Sequence, residues 1–378
     1  MSPTEPGGCE EPPPGGSDAD REPDGMTRAA LVREGVRTLH PGYFALVMAT
    51  GIVSIAMRNQ HAYPLSVALL WLAGIEYAVL ALLTVWRLAR YRPALAKDLT
   101  DPRRAFGTFT LVAGTDVLGT RLAVDGHHTA GFALLALGWA AWLVLGYVVP
   151  WTAVLRHVRR PVLSEANGTW FIWVVASQSV AVLAAALEPA ISQGRRELAL
   201  LAVFSWSVGV FLYAGNGVLV TARMLLYSFG PEDLTPPYWV AMGATAITVV
   251  AGARIIEMAD APMIAATRGL IAGSSVLFWA FGSWLIPPLI AAGIWRHLVH
   301  RVPLRYDPTL WSIVFPLGMY AVAGSYLGQA DHLPIVKALG DAESWAALAA
   351  WFVTFAAMAR HLLRAAHTAT GTHSGATG

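Results

Sequence analysis

Ten apolar runs of 16 to 29 residues divide the chain: residues 42–57, 63–86, 105–124, 130–154, 169–187, 198–226, 238–256, 269–294, 310–327 and 344–363. Roughly 20 such residues carry a helix across the hydrocarbon of a bilayer. An unpaired backbone group in lipid costs several kcal/mol, so runs of this kind are expected to be helical. The two-residue alternation of a membrane β-barrel is absent. The pattern predicts an all-α membrane protein of ten transmembrane helices.

A longer period overlies the first. The odd-numbered runs begin near 42, 105, 169, 238 and 310, at spacings of 63, 64, 69 and 72 residues. Each unit reads as one outward helix, a short loop and one returning helix, so five helical hairpins in a pseudo-fivefold arrangement are expected. Runs one, three and seven end alike, in GIVSIAMR (51–58), GTDVLGTR (114–121) and ITVVAGAR (247–254), each closing on an arginine. Eleven of the 15 tryptophans fall on even-numbered runs or their ends. Tryptophan favours the lipid interface, whereas small residues favour close helix contact or a channel wall. The odd helices are therefore expected to form an inner ring around a central pore, with the even helices outside. At this point a packed bundle with no passage remains the alternative.

Composition and charge add orientation. With 56% hydrophobic and 13% charged residues, the chain is too apolar for an ordinary soluble enzyme or a disordered scaffold. The first 25 residues hold seven acids and one arginine; setting them aside leaves 25 basic against 17 acidic residues from totals of 26 and 24. Nineteen Lys and Arg fall on the side of the termini, five on the other, and Arg121 and Arg254 lie within runs. That bias marks cytoplasmic segments, not nucleic-acid binding, and places both termini in the cytoplasm. The 24 arginines against two lysines fit a GC-rich bacterial genome, hence a bacterial plasma membrane.

Residues 1–26 read as a disordered acidic Pro/Gly-rich tail without a signal peptide, and Met26 is an alternative start. Residues 27–39 read as a basic amphipathic segment, 40–364 as the transport domain and 365–378 as a disordered polar tail. Cys9 is the one cysteine, so neither a disulfide framework nor a thiolate metal site is expected.

Three stretches carry a family resemblance: HPGYFALVMATGIVSIA (40–56), TWFIWVVASQSVAVLAA (169–185) and WSIVFPLGMY (311–320). They resemble the first, fifth and ninth helices of the family containing the tellurite-resistance protein, the yeast malic acid transporter and sulfite pump, and the plant guard-cell slow anion channel. The resemblance covers about residues 39 to 364. One departure is Met48-Ala49-Thr50-Gly51, where the family commonly has Met-Gly-Thr-Gly. The resemblance implies five hairpins, a pore lined by odd helices, a homotrimer, and small anions as cargo: chloride, nitrate, sulfite, malate and other dicarboxylates. Tellurite resistance is implied as an indirect phenotype. It also implies that a phenylalanine on the ninth helix occludes the pore, and Phe315, just before Pro316, is the matching position.

The residues themselves say how such a site would work. Pro316 lacks a backbone N–H and is expected to kink its helix, which would turn Phe315 inward as a dewetting plug. Packing of Phe315 against lipid or a neighbour is the alternative. At 100° per residue, Arg58 shares a stripe with Gly51 and Ser54, Arg121 with Gly114, and Arg254 with Gly243 and Ile247. These stripes give Gly51, Ser54, Gly114 and Gly243 as pore-lining candidates and Arg58, Arg121 and Arg254 as a cationic outer vestibule, with local pairing or snorkelling as the alternative. Ser177 and Gln178 belong to the most polar mid-helix cluster and join the pore-lining set. Asp116 and Glu76 are buried carboxyls expected to be paired or protonated, and either is a possible proton site.

All 11 histidines lie in loops, tails or run ends, there is no P-loop, and no output domain follows the helices. A membrane enzyme or sensor is therefore a remote alternative, and no metal or cofactor is expected. The function that emerges is an anion-selective channel or permease gated by Phe315. A proton-coupled C4-dicarboxylate symporter is the alternative.

Overall fold

The computed structural model describes residues 28–155, 161–258, 262–330 and 332–371. The acidic tail of residues 1–26 lies outside them. Among the described residues all regular structure is helical: α1 (Arg28–Arg37), α2 (Ala45–Asn59), α3 (Tyr63–Arg90), α4 (Arg92–Thr100), α5 (Thr110–Val124), α6 (His128–Val149), α7 (Phe171–Leu187), α8 (Arg195–Leu226), α9 (Val240–Glu257), α10 (Pro262–Ile294), α11 (Trp311–Ala330) and α12 (Pro334–Gly371).

The hairpins α2–α3, α5–α6, α7–α8, α9–α10 and α11–α12 each pack along their length. Helices α2, α5, α7, α9 and α11 touch in that order, and α11 returns to α2, which closes an inner ring of five. Each outer helix also leans on the next inner one: α3 on α5, α6 on α7, α8 on α9, α10 on α11, and α12 on α2. Burial follows the ring. The apolar segments through α2, α7, α9 and α11 are 78–89% buried, whereas the outer ones are 6–39% buried and present side chains such as Trp71 and Leu225 outward. Loss of apolar contact with water cannot hold inner helix to inner helix once lipid surrounds them; close packing of small residues does.

Among the described residues nine helices are long and apolar enough to cross a membrane. The tenth crossing, residues 105–124, carries Asp116 and Arg121, both fully buried, within the short helix α5. It tolerates them because the ring and its outer partners cover it on every side. Helix α12 begins at Pro334, ten residues before the apolar run at 344, and continues to Gly371. The polar extension is amphipathic: Lys337 pairs with Asp341 at 2.5 Å, and Gln60 and Ser325 donate to the same carboxylate at 2.9 and 3.1 Å. The helix thus runs past residue 365, where the polar tail was expected to begin, and residues 372–378 lie outside the described residues.

Every inner helix starts with a 3-10 turn on the face that also holds the ends of α1 and α12, here the terminal face. These turns, at Pro41–Phe44, Ala105–Phe109, Gly168–Trp170, Pro236–Trp239 and Pro308–Leu310, form a closed ring of their own. In three of them the preceding side chain caps the turn: His40 Nδ1, Asn167 Oδ1 and Asp307 Oδ1 accept the backbone N–H two residues on, at 3.0, 2.8 and 2.8 Å. Capping satisfies an N–H that the helix cannot.

His40 must be neutral to accept that bond, and burial, then the Arg104 charge, holds its pKa below the ordinary imidazole value. Above about pH 6.5 the group is neutral folded or unfolded and costs nothing. As the pH falls through that value the unfolded chain takes the proton first, so the fold loses stability. His40→Asn keeps an acceptor without the titration. It is expected to flatten the fall in melting temperature between pH 7 and 5, measured in detergent; an unchanged slope would discard the cap as its source.

Candidate functional site

A cavity of about 20 Å³ lies on the ring axis, room for little more than one water. Each inner helix contributes a pair spaced by three residues: Ile52 and Ile55, Val117 and Thr120, Ser179 and Val182, Ile247 and Val250, Met319 and Val322. Arg254 and Tyr326 complete the wall toward the face opposite the termini. A spacing of three keeps both side chains on one helix face; in runs apolar all round such pairs occur on every face, so the sequence alone does not single this one out.

Phe315 is 1% exposed and sits one turn before Met319 on the face of α11 that bears Met319, Val322 and Tyr326. Helical spacing thus puts it on the stripe of those three residues, toward the terminal face and outside the cavity wall itself. Pro316 lies inside α11, which stays helical through it, and packs on α9: a β-carbon added at Gly243 would stand 2.8 Å from the Pro316 ring.

The other pore-lining candidates occupy helix contacts, not the cavity wall. Gly51 meets Val117 of α5, Gly114 meets Phe44 and Val47, and Gly243 meets Pro316. Ser54 Oγ–H donates to the Ser66 carbonyl of α3 at 2.7 Å. Ser177 accepts the Trp142 indole N–H of α6 at 2.9 Å, and Gln178 Nε2 donates to the Trp206 carbonyl of α8 at 3.2 Å. Glycines admit the neighbouring helix, and buried polar side chains turn to whichever partner satisfies them. Both effects turn these residues away from the axial cavity.

Of the three arginines, the structure leaves one on the axis. Arg121 is fully buried and faces α3: Nε donates to Ser54 Oγ at 2.8 Å, Nη2 to Ser66 Oγ at 3.0 Å, and Nη1 pairs with Asp125 at 2.6 Å. Arg58 pairs with the same Asp125. Arg254 lines the cavity, stacks over the Tyr326 ring at 4.5 Å and donates from Nη2 to its hydroxyl at 2.8 Å. Glu257 stands 3.5 Å from Arg254 Nη1 and is more than half exposed.

Asp116 points into the seam between α5, α6 and α7. It accepts from Ser179 Oγ at 2.8 Å, and it occupies the space beside Gly138. Glu76 is buried on α3, beside Thr50 of α2.

On the terminal face a chamber of about 510 Å³ opens over the start turns of α7, α9 and α11. Arg103, Arg223, Arg296 and Arg305 line it beside Glu165, Glu232, Asp233 and Asp307, so its charges balance. Arg103 pairs with Glu165, and Arg296 donates to the carbonyls of Pro231 and Leu234 at 2.7 and 3.0 Å.

A ring of five hairpins, apolar on its outer face, defines a multi-pass membrane protein. Comparison with known proteins makes this specific. The voltage-dependent anion channel family matches residues 38–359, and the chain belongs to that family. It is 68% identical over 153 residues to an uncharacterized membrane protein of Mycobacterium tuberculosis, spanning 40% of this chain and 78% of that one. It is 23% identical over 326 residues to an uncharacterized transporter of Methanocaldococcus jannaschii (84% of this chain, 92% of that one). It is 24% identical over 355 residues to a sulfite efflux pump of Arthroderma otae (85% and 90%).

Proposed function

We propose that the chain passes small anions along the ring axis and that Phe315 is the gate. The observation that carries this is the shared cavity: all five inner helices turn a pair of side chains to one axis, and Phe315 continues the α11 stripe of that wall. Five helix N-termini end on the terminal face, and their partial positive charges favour an anion entering there. An apolar ring at Phe315 would exclude water and block ions until it moves. The cargo is a small anion such as chloride, nitrate, sulfite or a dicarboxylate; the similarity to a sulfite efflux pump favours this class. The 19-to-5 basic bias orients both termini to the cytoplasm of a bacterial plasma membrane, and the family resemblance favours a homotrimer.

A second reading is proton-coupled symport, and one contact favours it. Ser179 lines the axial cavity and donates to Asp116, which no cation pairs with among the described residues. An uncompensated carboxylate at membrane depth costs about 3 kcal/mol on insertion scales, so a proton is its natural companion. Glu76, on the lipid side of α2, is the lesser candidate.

Purified protein carrying Phe315→Ala, in a planar bilayer, separates the two. For a channel the reversal potential is expected to follow an imposed anion gradient and ignore a proton gradient. Movement with the proton gradient selects the symporter, and indifference to the anion gradient rejects both.

A further inference from the structure

The axial wall is poor in hydrogen-bond donors. Eight of the ten residues in its five pairs are alkyl or thioether side chains. The other two, Thr120 and Ser179, have their hydrogens engaged elsewhere: Thr120 Oγ donates to the Asp116 carbonyl at 2.8 Å, and Ser179 Oγ lies 2.8 Å from both the Ala176 carbonyl and Asp116. An anion stripped of water along this wall would find nothing to bind.

The exception is the far end. Tyr326 accepts from Arg254 through its oxygen, which leaves its own O–H hydrogen available. Arg254 Nε–H is buried and has no acceptor among the described residues. A buried donor without an acceptor is costly unless a ligand supplies one. Arg254 is also the only charged residue on the cavity wall among the described residues.

We propose that Arg254 and Tyr326 together form the anion-recognition site of the axis, taking an oxygen or halide of a small anion between the guanidinium and the phenol O–H. This rests on the axial path proposed above and adds where selectivity is set. Glu257 competes for the same guanidinium from the solvent side, so the anion displaces a weak, exposed contact and not a buried one. Arg58 and Arg121 take no part, being tied to Asp125.

The test uses full-length protein carrying Phe315→Ala, reconstituted in a planar bilayer, with chloride, nitrate and sodium gradients as probes. Arg254→Gln is expected to lower the chloride-to-sodium permeability ratio about ten-fold, the usual weight of a charge-assisted bond. Arg254→Lys should restore much of it by keeping the charge. Tyr326→Phe removes only the O–H and is expected to change the nitrate-to-chloride ratio roughly three-fold. If Arg254→Gln fails to insert, Tyr326→Phe decides alone. Unchanged ratios in the variants that insert overturn the pair while leaving the axial path intact. Absence of anion current in the Phe315→Ala parent overturns the path itself, and the pair with it.

Discussion

Phe315→Ala is expected to turn a closed pathway into a conducting one. The axial cavity has room for about one water, and Phe315 stands one turn beyond its last α11 wall residue on the same face. Truncation removes a ring from the axis without touching the fused α9–α11 contact, which Pro316 and Gly243 make. Each 1.4 kcal/mol taken from a permeation barrier raises flux about ten-fold, so loss of even part of a dewetting barrier is readily measured. Phe315→Leu keeps bulk and should lie between. Truncating a buried phenylalanine also costs about 3–5 kcal/mol of stability. The control is therefore Phe109→Ala: that ring is equally buried but stacks on Trp173, 5.9 Å between centroids, off the axial wall. It should cost stability and leave flux unchanged. Anion efflux from proteoliposomes measures both; equal flux from wild type and Phe315→Ala would remove the gate.

The ring was legible in the sequence because its cause is periodic. Apolar runs at a spacing of 63 to 72 residues, with tryptophan confined mostly to alternate runs, are what a repeated hairpin with one protected and one lipid-facing helix must look like. The orientation of each inner helix was harder to read. Gly51 and Gly114 mark a close approach, but a missing side chain fits a helix–helix seam as well as a pore. In this molecule they serve the seams, and the axial cavity is lined by branched apolar residues such as Ile52 and Val117. On α9, Ile247 and Arg254 line the axial cavity while Gly243 meets Pro316. Tyr326 was missed because nothing in its own run distinguishes it; only its contact with Arg254, 72 positions away, does so. The start of α12 was missed for a different reason. Apolarity marks what lipid touches, and residues 334–343 are helical through their own ion pair and through backbone packing on α11, where a β-carbon at Gly340 would stand 2.6 Å from the Ser325 nitrogen.

The cluster around Arg121 yields the second large effect, on stability and not on transport. Ser54 and Ser66 donate to each other's carbonyl oxygens at 2.7 Å, which leaves both hydroxyl oxygens free to accept from Arg121. Asp125 supplies the remaining partner and also holds Arg58. One guanidinium thus joins α2, α3 and α5, sharing the single Asp125 carboxylate with Arg58. Asp125→Ala strands that charge in a fully buried site, and breaking a buried pair by removing one partner costs about 3–5 kcal/mol. A drop of that size is expected in thermal unfolding of the detergent-solubilised protein. Arg121→Met together with Asp125→Ala should recover most of it, because the serines remain satisfied by each other and Arg58, a third exposed, loses only a weak contact. In the Phe315→Ala background the same double variant should leave the anion-to-cation permeability ratio unchanged, since neither residue lines the axial cavity. Full stability in Asp125→Ala, or a changed ratio in the double variant, would return Arg121 to the conduction path.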